Sequence, residues 1–127
     1  MARPAIVTAE PMALPEHELL ARVFRTLGDP SRLRMVELLL EALEAGDGEL
    51  TQSELVAQVG VSQSRASEHL GCLVWCGFVA AERSGRVVRY RLVDERAARF
   101  VELAREFLAG NEAAVGCCTV LDREQPA

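Results

Sequence analysis

The chain has 127 residues, half of them apolar, with four cysteines and a net charge of −5. That length builds one domain with its own core and leaves no room for a second. No apolar run approaches the ~20 residues that span a bilayer. The start, MARPAIVTAEPMALPEHE, also lacks the basic region, apolar run and cleavage site of a secretory signal. A soluble, cytoplasmic protein is therefore expected, and in that reducing compartment cysteines favour metal or redox chemistry over structural disulfides.

Residues 1–14 show no periodicity and read as a flexible arm. From Glu16 onward, Leu20, Phe24 and Leu27 recur at helical spacing with Val23 beside them, an amphipathic helix ending at Gly28. Asp29-Pro30 then supplies an N-cap and a proline for the first turn of a second helix, to about residue 45. Its inward positions are Leu33, Val36, Leu39 and Leu40, and Gly46-Asp47-Gly48 breaks it. Thr51 and Glu54 have capping-box spacing and open a short helix with Leu55, Val56 and Val59 on one face, up to Gly60. Ser62 caps the next helix, to about Trp75, with Gly77 at its end. A short helix, a glycine turn and a second helix with a polar front make a helix-turn-helix.

The stretches 78–83 and 86–92 alternate around Ser84-Gly85, a plausible hairpin turn. Asp94 caps a last helix with Ala97, Phe100, Val101, Ala104, Phe107 and Leu108 on one face; the sequence after Gly110 matches no element pattern. The fold class is thus mainly α with a β-hairpin wing, a winged helix-turn-helix. Its parts are the arm (1–14), a DNA-binding and dimerisation domain (15–109) and a cysteine-containing tail (110–127). The broad apolar faces of the first and last helices exceed what so small a core covers. Pairing with a second copy would bury them, so a homodimer suited to a palindromic operator is expected.

The overall acidity argues at first against nucleic acid, but the distribution matters more than the sum. Between Val61 and Val93, Arg65, Arg83, Arg86, Arg89 and Arg91 face only Glu68 and Glu82, a local balance of +3. On the front of the second helix of the pair, Arg65 suits guanine, Gln63 adenine, and Ser64 and Ser67 phosphate or base edges. Arg83, Arg86 and Arg89 around the hairpin turn suit phosphate or minor-groove contact. The bland alternative for both sets is a solvated, functionless surface.

Cys72 and Cys76 stand at i and i+4 on that same helix, ~5–6 Å apart at Cβ, a spacing at which two thiolates chelate one ion. Against simple packing stands their direction. At ~100° per residue, Cys72 falls about 130° and Cys76 about 90° from the core direction set by Ala66, Leu70 and Leu73. Cys76 also sits at a helix C-terminus, where the dipole disfavours a thiolate unless a cation enforces it. All-sulfur ligation selects soft ions: Cd(II), Pb(II) or Hg(II) ahead of Zn(II) or As(III). Cys117 and Cys118 in the tail are further ligand candidates, singly or together. His69, three residues before Cys72, suits packing or hydrogen bonding better than ligation.

Two segments carry a family likeness. LGDPSRLRMVELLL (27–40) and VSQSRASEHLGCL followed by GFVAAERSGRVVRYRL resemble the entry motif, recognition helix and wing of the ArsR/SmtB repressors, over roughly residues 20–108. The resemblance implies a dimeric winged-helix repressor that releases DNA on binding a metal ion or another inducer. Cysteines inside the recognition helix resemble the cadmium/lead-sensing branch. There, two helix thiols bind with a tail cysteine of the partner subunit, which here would be Cys117, Cys118 or both. A thiol-redox or persulfide sensor using the same cysteines is the alternative. No enzyme is expected, since the chain has no Cys-x-x-Cys at a helix start and no Cys/His/Asp arrangement.

Overall fold

A computed structural model describes residues 14–124, so the expected arm lies almost wholly outside the described residues. In chain order come α1 (Glu16–Gly28), α2 (Pro30–Glu44), β1 (Leu50–Thr51), α3 (Gln52–Val59) and α4 (Gln63–Trp75). Then follow β2 (Val79–Ser84), β3 (Val87–Leu92), α5 (Glu95–Leu108), α6 (Glu112–Gly116) and α7 (Thr119–Glu124). The expected caps form. Asp29 accepts from the Arg32 amide with Pro30 in the first turn, and Thr51 and Glu54 complete a reciprocal capping box. Ser62 and Asp94 accept from the Arg65 and Arg96 amides. Gly60, at φ 80°, makes the left-handed turn between α3 and α4.

α4 ends in paired backbone bonds, from Gly77 N–H to Val74 O at 3.2 Å and from Phe78 N–H to Leu73 O at 3.0 Å. This Schellman arrangement needs the positive φ of Gly77, 90°, and it fixes Cys76 as the last residue before the chain leaves the helix. The core lies between α2, α3, α4, α5 and the sheet, with Leu39, Leu55, Leu70 and Leu73 fully buried. Truncating any of these leucines to alanine would cost about 2–5 kcal/mol.

Three features differ from the sequence reading. Leu50 and Thr51 form a third strand, paired antiparallel to Tyr90 and Arg89, giving the sheet order β1-β3-β2. Two residues carry no alternation to read. The hairpin loop is Gly85-Arg86, one residue later than Ser84-Gly85, because Ser84 pairs with Val87. Positive φ falls at Gly85 (64°) and at no non-glycine residue, the pattern of a II′ turn, which needs glycine at its first central position. The tail contains two short helices, α6 and α7.

The face expected on the last helix is only half used. Ala97, Ala98 and Val101 are buried, whereas Ala104, Phe107 and Leu108 are exposed, Phe107 at 74%. Leu103 is 65% exposed, and on α1 Leu20 and Phe24 are 50% and 66% exposed. Phe24 and Phe100 meet edge to face with centroids 6.3 Å apart, joining the stripes of α1 and α5 into one apolar surface. Among the described residues no helix is long and apolar enough to cross a membrane.

Candidate functional site

α3, the Gly60 turn and α4 build the helix-turn-helix, and Gln63, Ser64, Arg65 and Ser67 are all exposed along its second helix. Gln52 braces this unit, donating from Nε2 to the Gln63 carbonyl at 3.3 Å and accepting from the Tyr90 hydroxyl at 3.5 Å. It thus ties α3 to α4 and the wing. Sequence reasoning passed over Gln52, since a glutamine early in a helix carries no signal of two partners on other elements.

The wing register separates arginines that the sequence grouped together. Arg83 pairs with Val88, on the sheet face that carries Tyr90 and Val79, and it borders the groove shared with Gln52 on α3 and Ser67 on α4. Its guanidinium reaches the Gly85 carbonyl at 3.4 Å. Arg86 occupies the tip. Arg89 lies on the other sheet face, directly opposite Glu82 and within electrostatic range of Glu54. A cross-strand acid partly offsets its charge, so Arg83 and Arg86 are the cations best placed beside the reading helix.

Cys72 is half-buried and Cys76 exposed, both as free thiols, and Cys76 is near enough to act on the Cys72 thiol. Burial pushes the Cys72 thiol up from its ordinary range. The neighbouring Cys76 adds to this and the Arg32 charge opposes it. Helical angles placed Cys72 farther from the core than Cys76, yet it is the better covered. The junction of α1 and α2, with Asp29 and Arg32, lies on that side of α4, a contact that α4 alone does not reveal.

That junction is a polar knot. Arg32 donates from Nε to the Thr26 carbonyl at 2.7 Å and from Nη2 to the Arg25 carbonyl at 3.1 Å, satisfying carbonyls that the end of α1 leaves free. Its Nη1 lies 3.3 Å from His69 Nδ1. A guanidinium only donates, so Nδ1 is the acceptor and the proton sits on Nε2, facing Asp29 Oδ2 at 3.7 Å. Burial, reinforced by Arg32 and Arg65 and opposed by Asp29 and Glu68, pushes the His69 pKa down from 6.5. Burial works against the charged form of Asp29 too, but the Arg32 amide, His69 and Arg32 outweigh it and hold the carboxyl low. With both ring nitrogens engaged, His69 has the hydrogen-bonding role expected of it and no lone pair free for a metal.

The tail thiols Cys117 and Cys118, exposed and half-buried respectively, flank the junction of α6 and α7. Within one chain they do not join Cys72 and Cys76: among the described residues no three His, Cys, Asp or Glu side chains cluster as a metal site. The helix pair has the donor chemistry for a soft ion, but it is two-sulfur and open to a further ligand.

The helix-turn-helix, its exposed polar reading face and the basic hairpin beside it define a winged-helix DNA-binding regulator. Residues 29–81 match the model described as "Bacterial regulatory protein, arsR family". The chain is 46% identical over 104 residues to the "Probable mercury resistance operon repressor" of Streptomyces lividans, covering 82% of this chain and 78% of that one. The chain belongs to the arsR family of bacterial regulatory proteins. The crystal structure of Mycobacterium tuberculosis Rv0081 superposes with a TM-score of 0.70 at 32% identity, covering 83% of this chain and all of that one. The homodimeric winged helix-turn-helix domain of Mycobacterium bovis Mb0332 gives 0.62 at 25% identity, covering 82% and 91%.

Proposed function

We propose that the chain is a homodimeric, metal-responsive repressor that holds operator DNA without metal and leaves it when a soft thiophilic ion is captured. The adjacent thiols of Cys72 and Cys76, on the helix that carries the reading residues, support this reading most directly. In it, residues 15–109 form the DNA-binding and dimerisation unit. The tail, 110–127, brings Cys117 or Cys118 of the partner subunit to close the site, which matches the open pair within one chain. Gln63, Ser64, Arg65 and Ser67 read the major groove, while Arg83 and Arg86 contact the backbone and Arg89, opposite Glu82, adds a weaker contact. The exposed stripes of α1 and α5 form the dimer face, in keeping with the homodimeric Mb0332 domain.

Sulfur ligation suits Cd(II), Pb(II) and Hg(II), and the name of the Streptomyces lividans relative adds weight to mercury. A raised Cys72 thiol favours metal capture over a redox or persulfide sensor, because a bound cation drives deprotonation itself whereas an oxidant needs a thiolate already present. The test is a titration of operator-bound protein with Cd(II), Pb(II), Hg(II), Zn(II) and As(III), following release and thiolate-to-metal absorption. Cys72→Ser is expected to bind operator as before and to ignore metal. Metal-induced release by that variant at wild-type concentrations would remove the site.

A further inference from the structure

α1 carries one buried residue among exposed and half-buried neighbours, and it is polar. Thr26 is 5% exposed, while Val23 and Leu27 beside it are half-buried and Phe24 projects outward. A buried position on an amphipathic helix is ordinarily apolar, and valine would fill the same volume. The threonine hydroxyl is therefore doing something that packing does not require. Two acceptors surround it: the Arg22 carbonyl at 2.8 Å, one turn back on α1, and the Cys76 sulfur at 3.6 Å on α4.

One hydroxyl proton serves one of these acceptors at a time. While Cys76 is a thiol, its S–H can point to Thr26 Oγ1 and the hydroxyl donates to the Arg22 carbonyl, a chain in which every donor has an acceptor. A thiolate at Cys76 has no proton to give and is the stronger acceptor, because hydrogen bonds to ionised groups exceed neutral ones. The hydroxyl then turns to the sulfur, and the helical Arg22 carbonyl keeps its backbone partner. We propose that Thr26 is the positioning residue of the thiol site, holding the Cys76 sulfur as a ligand through this hydrogen bond. Arg32 fixes the hydroxyl's place by anchoring the Thr26 carbonyl at 2.7 Å. This rests on the reading of Cys76 as a metal ligand and adds to it a contact from α1, the helix of the exposed apolar stripe.

Hydrogen-bond partners behind metal ligands typically contribute tenfold to a hundredfold in affinity. The experiment measures Cd(II) affinity of the full chain by chelator competition, reading the thiolate-to-metal band, for wild type, Thr26→Val, Thr26→Ser and Cys76→Ser. Metal-free operator affinity of each protein is recorded alongside as the check on folding. Thr26→Val is expected to bind Cd(II) about tenfold to a hundredfold more weakly with operator affinity within twofold of wild type, and Thr26→Ser to restore the metal affinity. Cd(II) affinity of Thr26→Val equal to wild type, with Cys76→Ser impaired, overturns the role of Thr26 alone. Wild-type affinity in Cys76→Ser overturns the site and this inference with it. A loss in Thr26→Val that Thr26→Ser does not restore assigns the effect to packing and also overturns the hydrogen bond.

Discussion

Phe107 offers the sharpest test of the dimer face. Its ring is 74% exposed in the single chain, so it contributes little to the protomer's own core and much to any surface that covers it. Burying a phenylalanine side chain fully stabilises by about 1.5–3 kcal/mol. The exposed three-quarters therefore leaves about 1–2 kcal/mol per protomer to gain on association. In a symmetric dimer the same residue counts twice, about 2–4 kcal/mol in all. At ~1.4 kcal/mol per tenfold, Phe107→Ala should weaken the dimer roughly 30- to 1,000-fold. The assay is sedimentation velocity over a dilution series, with circular dichroism and a urea midpoint of the protomer as controls. Operator affinity should fall in step, since a palindromic site is held by two reading helices together. A dimer constant within threefold of wild type, in a folded protein, would refute the assignment of the α1 and α5 stripes to the interface.

The wing register makes Arg83 and Arg89 unequal. Arg83→Ala should weaken operator binding and lower the slope of log affinity against log salt by about 0.9, the release expected for one duplex phosphate contact. Arg89→Ala, opposite Glu82, should change that slope by less than half as much; equal effects in a salt titration would contradict the split. Acid stability should follow the polar knot. The unfolded chain protonates His69 near its ordinary pKa, ~6.5, while the folded chain, with Arg32, Arg65, Asp29 and Glu68 around the ring, resists it. The unfolded state then binds more protons, so stability falls as pH drops below ~6.5. Asp29 is held low, so its share is present above the ordinary carboxylate pKa and is lost as pH falls through its lower folded value. Urea midpoints at pH 7.5 and 5.5 should show the first decline, and His69→Gln should reduce it; an unchanged difference would detach His69 from it.

Much of the fold was legible because its signals are local. Asp29-Pro30, Thr51 with Glu54, Ser62 and Asp94 each cap a helix through their own sequence neighbours. The hairpin and the helix-turn-helix likewise rest on patterns only a few residues long. What the sequence hid depends on contacts between distant segments. β1 exists only because β3 is there to pair with it. The cover over Cys72 comes from the α1–α2 junction, some 40 residues away in sequence, and so do the partners of His69. Gln52 and Thr26 escaped for the same reason: each is an unremarkable polar residue until its neighbours from other elements are in place.

The side of α4 that carries the thiols constrains how ligation could be transmitted. Cys72 and Cys76 follow Arg65 along one side of α4 but lie about two and three turns beyond it, away from Gln63 and Ser64, against Thr26 and the Arg32 knot. A captured ion would therefore meet no reading residue directly, and its effect must pass through α4 as a body or through α1. A 100-fold loss of operator affinity requires ~2.7 kcal/mol of difference between the two states. No single surface contact supplies that, but the α1–α4 contact is well placed to. In the proposed dimer the exposed apolar stripe of α1 belongs to the interface, so a small shift of its end relative to α4 would change the spacing of two reading helices at once. In a dimer each protomer contributes that change, and half of the required coupling per site, ~1.4 kcal/mol, is of the size of one hydrogen bond to a charged group.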